Sequence, residues 1–251
     1  MGEIPQNVDC TLSIVSHGDA LSVIQMIESS SDFYFNDNFE ILIRENKESV
    51  SSDLDKLSEK FSNVTVIYNS AVYGFGKNHN LNFSIRSPKS KFFIVCNPDL
   101  ERFPDRLDLA DYLPHEWHLG TPNIFDVDGS VSDFKRVEIS FLALAKRFFL
   151  SNSSNVSITN KDVLWVPSIF TIFSVNLFKI LDGYDTKIFM YYEDYDICMR
   201  ARRYASVSFL DSVVVHEGRR ASRTNFRLLL AHLKSVIYVM NQRRCGVYNE
   251  K

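Results

Sequence analysis

Short runs of β-branched and aromatic residues recur through the first hundred positions, each closed by polar or glycine-bearing residues: "CTLSIVS" (10–16), "FEILIRE" (39–45), "NVTVIY" (63–68) and "KFFIVCN" (91–97). Runs of this length and composition predict buried strands. The stretches between them carry a helical period. "DALSVIQMIESS" (19–30) opens on an Asp suited to an N-cap and places Leu21, Ile24 and Ile27 on one face; "SSDLDKLSEKF" (51–61) repeats the arrangement with Leu54, Leu57 and Phe61. Strand alternating with helix predicts an α/β chain built on a parallel sheet through about residue 100.

The second half is less regular. "WHLGTPNIF" (117–125) and "DVLWVPSIFTIFSV" (162–175) predict strands, and "RVEISFLALAKRFFL" (136–150) predicts an amphipathic helix. Residues 192–204 predict a further helix, "SVSFLDSVVVH" (206–216) one or two strands, and residues 223–243 a long final helix. The polar stretch "SNSSNVSITNK" (151–161) is too short for a domain linker, so a single domain is expected.

Bulk properties narrow the class. With 251 residues, 45% apolar and 24% charged, the chain can bury a real core, and a net charge of −3 gives no general affinity for nucleic acid. Cys10, Cys96, Cys198 and Cys245 lie far apart with no CxxC pair and no zinc-like spacing, which predicts reduced thiols. "MGEIPQNVD" is not a secretory signal, and no apolar stretch approaches the roughly 20 residues that span a bilayer. A cytosolic protein is expected, with attachment to a membrane surface left open.

In α/β sheets ligands gather beyond the carboxyl ends of the strands. Those ends are polar here: Ser16, His17, Gly18 and Asp19 after the first run, Arg44, Glu45 and Asn46 after the second, Asn97, Pro98 and Asp99 after the fourth. After the third comes "VYGFGKNHN", a glycine loop opening a helix whose free N–H groups suit a phosphate; it lacks the third glycine of a dinucleotide fingerprint and equally suits a structural turn. "NPD" also reads as a turn, and His216 as a core histidine. "YYEDYD" (191–196) gathers Glu193, Asp194 and Asp196 in one helical turn. Acids there cap a helix, and Asp196 with Arg200 makes an i,i+4 pair, yet one acid caps and three repel one another. A first-turn carboxylate held ionised suits a general base.

Taken in order, "LSIVSHGD", "ILIRENKES", "VYGFGKNHN", "FFIVCNPDL", "VLWVPSIFTIF", "GYDTKIFMYYEDYDICMRAR" and "VVVHEGRRASR" resemble the family 2 glycosyltransferases, and among them the bacterial rhamnosyltransferases of O-antigen synthesis. The resemblance spans residues 10–240. It implies a GT-A fold, a Rossmann-like, mostly parallel sheet flanked by helices, with a nucleotide-binding half over about 8–100 and an acceptor-binding half over about 101–217. It also implies a nucleotide-sugar donor, Mn²⁺ or Mg²⁺ as cofactor, and inversion at the anomeric carbon.

By matching motif, Asp99 corresponds to the aspartate that touches metal and donor, and His216 to the histidine that completes the metal site. Asp194 corresponds to the catalytic base, with Glu193 beside it. Ser16, Glu45, Gly76 and Asn80 match positions lining the nucleotide, and Ser168 falls where the acceptor pocket is shaped. Trp165, Tyr191 and Tyr192 suit the wall of an acceptor sugar, since aromatic faces pack against C–H-rich rings, and suit core packing equally. Two positions depart from the family pattern, which usually carries Asp at Glu45 and a small glycine at Ser168.

From Arg219 to Arg244 the chain holds seven basic residues and no acid, interleaved with Leu229, Leu230, Leu233, Val236 and Ile237. Such a helix fits an anionic bilayer surface or an ordinary packing helix with a solvated basic face. The resemblance implies dTDP-L-rhamnose as donor, a saccharide on undecaprenyl diphosphate as acceptor, and peripheral association with the cytoplasmic face of the inner membrane. Other expectations kept open are the same fold with a UDP-hexose, galactofuranose or another deoxysugar donor, and a catalytically silent sugar-nucleotide-binding partner. A nicotinamide oxidoreductase needs a glycine fingerprint that "SIVSHGDA" lacks.

Overall fold

The computed structural model describes residues 9–30, 38–46, 53–104, 107, 109–113, 115–137, 160–217 and 226–248. The amphipathic pattern at 136–150 and the polar stretch at 151–161 lie almost wholly outside these residues. Among them, eight strands form one sheet in the order β3-β2-β1-β4-β7-β6-β8-β5. The strands are β1 Cys10–Ser16, β2 Phe39–Glu45, β3 Val64–Tyr68, β4 Phe92–Cys96, β5 Leu100–Arg102, β6 Leu119–Asp126, β7 Phe170–Ser174 and β8 Val207–His216.

The first four strands fall where the apolar runs predict them, and β1 pairs in parallel with both β2 and β4 while β3 extends the block beyond β2. Every residue of β1 and β4 is buried, which is why these strands read as continuous apolar runs rather than alternating ones. Beyond β4 the sheet turns mixed. β7 runs antiparallel to β4 and β6, β8 returns parallel to β6, and the three-residue β5 closes the far edge against β8. The strand expected over 162–175 forms only in its second half, because Pro167 has no N–H for a ladder bond and residues 163–169 run as an irregular segment.

Helices α1 (Ala20–Ser29), α2 (Asp55–Lys60), α3 (Phe75–Ile85), α4 (Val175–Ile180), α5 (Glu193–Ala201) and α6 (Phe226–Arg244) connect or flank these strands. The phase expected for α1 needs correction. Leu21 is 72% exposed, and the buried side chains are Ala20, Val23, Met26 and Ile27, because the stripe that meets the sheet is centred on Val23. In α2 the expected face holds, with Leu54 and Leu57 buried.

The glycine loop also serves packing. Phe75 N–H donates to Phe189 O at 2.9 Å, so the first amide of α3 is already taken. A Cβ at Gly74 would lie 2.5 Å from Phe189 O, and one at Gly76 would lie 2.4 Å from the Cβ of Tyr184. Tyr184 is 2% exposed and cannot retreat. Gly76→Ala is therefore expected to destabilise the chain by about 1–3 kcal/mol, the usual range for overpacking, read as a fall in denaturation midpoint.

Candidate functional site

The opening of α5 separates three acids that look alike in sequence. Asp196 is 2% exposed and fully engaged: Arg200 donates to it at 2.7 and 2.9 Å, and Tyr248 OH at 2.8 Å. Arg200 also donates to Leu181 O at 2.6 Å and Gly183 O at 2.9 Å, so the expected i,i+4 pair is part of a buried network. Glu193 is buried, and its Oε2 has no hydrogen-bond partner among the described residues. Burial and then the neighbouring Asp194 push its carboxyl well above the usual carboxylate range.

Asp194 differs from both. Burial raises its carboxyl to about 6, while the Tyr195 N–H at 2.8 Å, the Arg136 guanidinium and the Ser168 N–H favour its charged form. A carboxylate that ionises near neutrality at a helix start can accept a proton at working pH. The three acids therefore do not share one role: one is locked in a buried network, one is pushed toward its protonated form, and one is held by donors that favour its charge.

The entry to α5 is unusual. Tyr191 and Tyr192 sit at φ 68° and 66°, in the left-handed region that costs a bulky residue about 1–3 kcal/mol. Tyr192 occupies the N-cap position without a side-chain cap.

Asp99 lies just before β5, and Leu100 pairs with His216 at the end of β8. This brings His216 Nε2 to 3.1 Å from Asp99 Oδ1, across 117 positions of sequence. The main chain reinforces the pair, with Glu217 N–H donating to Asp99 O at 3.1 Å. A carboxylate oxygen and an imidazole nitrogen that converge on one point suit a Mn²⁺ or Mg²⁺ ion whose remaining ligands come from a substrate. Among the described residues no cluster of three or more His, Cys, Asp or Glu surrounds them, so the protein supplies at most a partial shell there.

The loop that carries Asp99 and the segment beside Asp194 are tied through the main chain. Asn97 N–H donates to Ile169 O at 2.9 Å, which runs the loop carrying Asp99 alongside the 166–169 segment. The residue before Ile169, Ser168, is the one whose N–H favours ionised Asp194.

The positions expected to line a nucleotide divide. Ser16 Oγ and Gly18 N–H both donate to Glu45, at 2.7 and 2.9 Å, and Glu45 is fully buried. Its two oxygens close the turn after β1. Ser16 is buried in the same contact. Asn80 accepts from Tyr184 N–H and donates to Tyr184 O, at 2.9 and 2.8 Å, so Asn80, like Gly76, is committed to holding the 183–184 turn.

Sequence reasoning passed over a buried network beneath these ends. Arg44 donates to Asn82 and Asn69, at 2.8 and 3.0 Å, Asn69 to Asn46 and Asn78, and Asn82 to Ser13, which meets Nδ1 of His79 at 2.7 Å. Asn46 then clamps Tyr73 by both N–H and C=O, at 2.8 and 2.7 Å. Burial drives His79 down to about 3, so it stays neutral. The available signal was Ser13 and Arg44 inside otherwise apolar strands.

Of the positions expected to face an acceptor, Trp165 is 8% exposed and its indole N–H donates to Val137 O at 2.8 Å. Its ring meets Tyr195 edge-on at 5.7 Å and lies 5.5 Å from the Arg136 guanidinium, so it buttresses the surroundings of Asp194. Ser168 Oγ shares a 2.9 Å hydrogen bond with Tyr184 OH. Tyr192 is buried against His232.

No protein-family model matches the chain. Along 256 aligned residues, 92% of each protein, it is 24% identical to rhamnosyltransferase WbbL of Escherichia coli K12. Superposition on TarS of S. aureus gives a TM-score of 0.59 at 14% identity over 83% of this chain, and on the mannosyltransferase PcManGT of Pyrobaculum calidifontis 0.59 at 12% over 88%. The fold is that of the GT-A glycosyltransferases. The resemblance read from the order of motifs stands on both comparisons. This chain spans 60% of each of those two structures. A further TarS structure is a complex with UDP-GlcNAc, and the PcManGT structure contains GDP-Man and Mn²⁺.

Proposed function

We propose that the chain is an inverting glycosyltransferase that moves L-rhamnose from dTDP-L-rhamnose to a GlcNAc-bearing saccharide on undecaprenyl diphosphate, or to a growing O-antigen chain. The observation that carries this reading is the placement of Asp194 at the start of α5, where its carboxylate accepts from the Tyr195 N–H and meets the Ser168 N–H, one residue from the Ile169 carbonyl that binds the loop leading to Asp99. The likeness to WbbL supports the rhamnosyl donor.

In this reading Asp194 accepts the proton of an acceptor hydroxyl as that oxygen attacks the anomeric carbon. The bond from that carbon to the diphosphate oxygen breaks, the leaving nucleoside diphosphate keeps the electron pair, and configuration inverts. Asp99 and His216 would hold Mn²⁺ or Mg²⁺, which when bound offsets negative charge on the diphosphate. Protonated Glu193 can donate a hydrogen bond to an acceptor oxygen without adding a second charge beside the base. Ser16, Gly76, Asn80 and Glu45 shape the nucleotide end by fixing turns, and Trp165, Ser168 and Tyr192 shape the acceptor end.

The test offers dTDP-rhamnose, UDP-hexoses and GDP-mannose with a synthetic lipid-diphosphate acceptor, with and without the two cations, and follows nucleoside diphosphate release. Turnover with dTDP-rhamnose and its loss on chelation are expected. Turnover with a UDP-sugar alone would keep the mechanism and replace the donor, a reading favoured by the TarS complex.

We further propose that α6 meets the cytoplasmic face of an anionic membrane. Leu230, Leu233 and Ile237 are 42, 49 and 57% exposed along one stripe, with Lys234 beside them. No helix among the described residues is long and apolar enough to cross a membrane. Binding to anionic liposomes that weakens steeply with salt is expected, each basic residue near the surface contributing about 1 kcal/mol. Equal binding to neutral liposomes would contradict it.

A further inference from the structure

The face of α6 turned inward has a different task from the exposed stripe. His232, Ser235 and Tyr238 are spaced three apart, so they share one side of the helix. Each grips the segment that leads into α5. The His232 ring lies 5.0 Å from the Tyr191 ring and 5.1 Å from the Tyr192 ring, with its Nε2 3.4 Å from Tyr192 OH. Ser235 Oγ donates to Met190 O at 2.8 Å, and Tyr238 OH to Asp185 Oδ2 at 2.7 Å. One turn beyond α6, Tyr248 OH reaches Asp196 inside α5 itself.

What these contacts hold is the strained part of the chain. Two adjacent tyrosines in the left-handed region immediately precede Glu193 and Asp194, and no cap side chain fixes the helix start. A backbone of that kind persists only where its surroundings over-determine it. Here one residue of a helix 40 positions away in sequence touches both rings.

We infer that α6 is a strap that sets the aim of the acid pair: His232, seated between Tyr191 and Tyr192, is a positioning residue that holds the left-handed pair and through it the direction in which Asp194 leaves α5. This rests on the reading of Asp194 as the base. It gives α6 two separable faces, one outward and apolar, one inward and locked onto the start of α5. It also explains a long C-terminal helix in a fold whose sheet is complete without it.

The test uses the full chain carrying His232→Ala, His232→Phe or Ser235→Ala, with Asp194→Asn as reference. Rate against pH is followed by nucleoside diphosphate release, and local opening by amide hydrogen exchange. His232→Ala is expected to lower kcat roughly ten- to hundredfold, as small misplacements of a reacting group do, at unchanged donor Kd. Water admitted at the start of α5 lessens the desolvation of Asp194, so the acidic limb of the profile moves to lower pH. Amides between residues 188 and 197 exchange faster while those of β1 do not. His232→Phe keeps a ring between the tyrosines and restores most of the rate, and Ser235→Ala shifts kcat and exchange in the same direction by less.

General destabilisation would lower the rate without moving the limb. Should His232→Ala, with β1 still protected, run at the native rate with the native limb, the strap is wrong. If Asp194→Asn turns over normally, the base reading falls; if Asp194→Asn is inactive while His232→Ala is native in rate and limb, the base reading stands and the strap falls.

Discussion

Asp194→Asn is expected to turn over on the order of 10²- to 10⁴-fold more slowly than the native chain while binding donor equally well. The amide keeps the volume of the carboxylate but cannot take a proton from the incoming hydroxyl. A second effect distinguishes this variant from simple damage. Because burial holds the Asp194 carboxyl above its ordinary value, the folded state favours the protonated form. That contribution to stability is fully present below the ordinary carboxylate pKa and is lost as pH rises through about 6. Above that pH the native chain holds an ion that its surroundings do not fully compensate, and Asn removes it. The inactive variant should therefore melt higher than the native chain at pH 8, on the order of 1–3 kcal/mol, the usual scale for an incompletely compensated buried group. Thermal melts of both chains on either side of the transition check the sign.

Arg200→Met is expected to destabilise the chain by about 3–5 kcal/mol, the cost of leaving one member of a buried pair without its partner. Asp196 would stay 2% exposed with Tyr248 as its remaining described donor, and Leu181 O and Gly183 O would lose the guanidinium that ties them to α5. Those carbonyls flank Asp182 and Gly183, at φ 54° and 65°, so the turn that carries Tyr184 loosens with them. Urea denaturation should show a lower midpoint at unchanged slope. The double variant Asp196→Leu/Arg200→Met, which removes both charges, should recover part of the loss; no recovery would mean that the bonds to the two carbonyls, rather than the buried charge, carry the energy.

The parallel half of the sheet was legible because strands buried on both faces, as β1, β2 and β4 are, read as apolar runs, and these with the edge strand β3, separated by helical periods, admit few arrangements. The mixed half was not. β5 has three residues, too few for any period, and it forms because β8 offers an edge at His216. The phase of α1 was misread because apolar residues lie on more than one side of it, and only packing selects the face with Ala20, Val23, Met26 and Ile27 over the one with Leu21.

Of the site, the acid cluster at the start of α5 was visible as an excess of charge, but its division into one carboxyl locked in a network, one pushed toward its protonated form and one held by donors that favour its charge depends on burial, which sequence spacing does not encode. The Asp99–His216 pair came from resemblance, since nothing local to either residue points to the other. The part Glu45 plays in the fold was not legible, because its bonds to Ser16 and Gly18 form only when β1 and β2 lie side by side. The asparagines beneath the strand ends read individually as turn formers, and only the fold gathers them around Arg44.

The central claim is that Asp194 takes the acceptor proton at a site where its carboxyl ionises near neutrality. The dependence of single-turnover transfer on pH, measured with saturating donor and acceptor, tests it most directly. The rate should climb through an acidic limb centred near pH 6 that is absent in Asp194→Asn. A native profile that is flat across that range, or a limb that persists unchanged in Asp194→Asn, would contradict it.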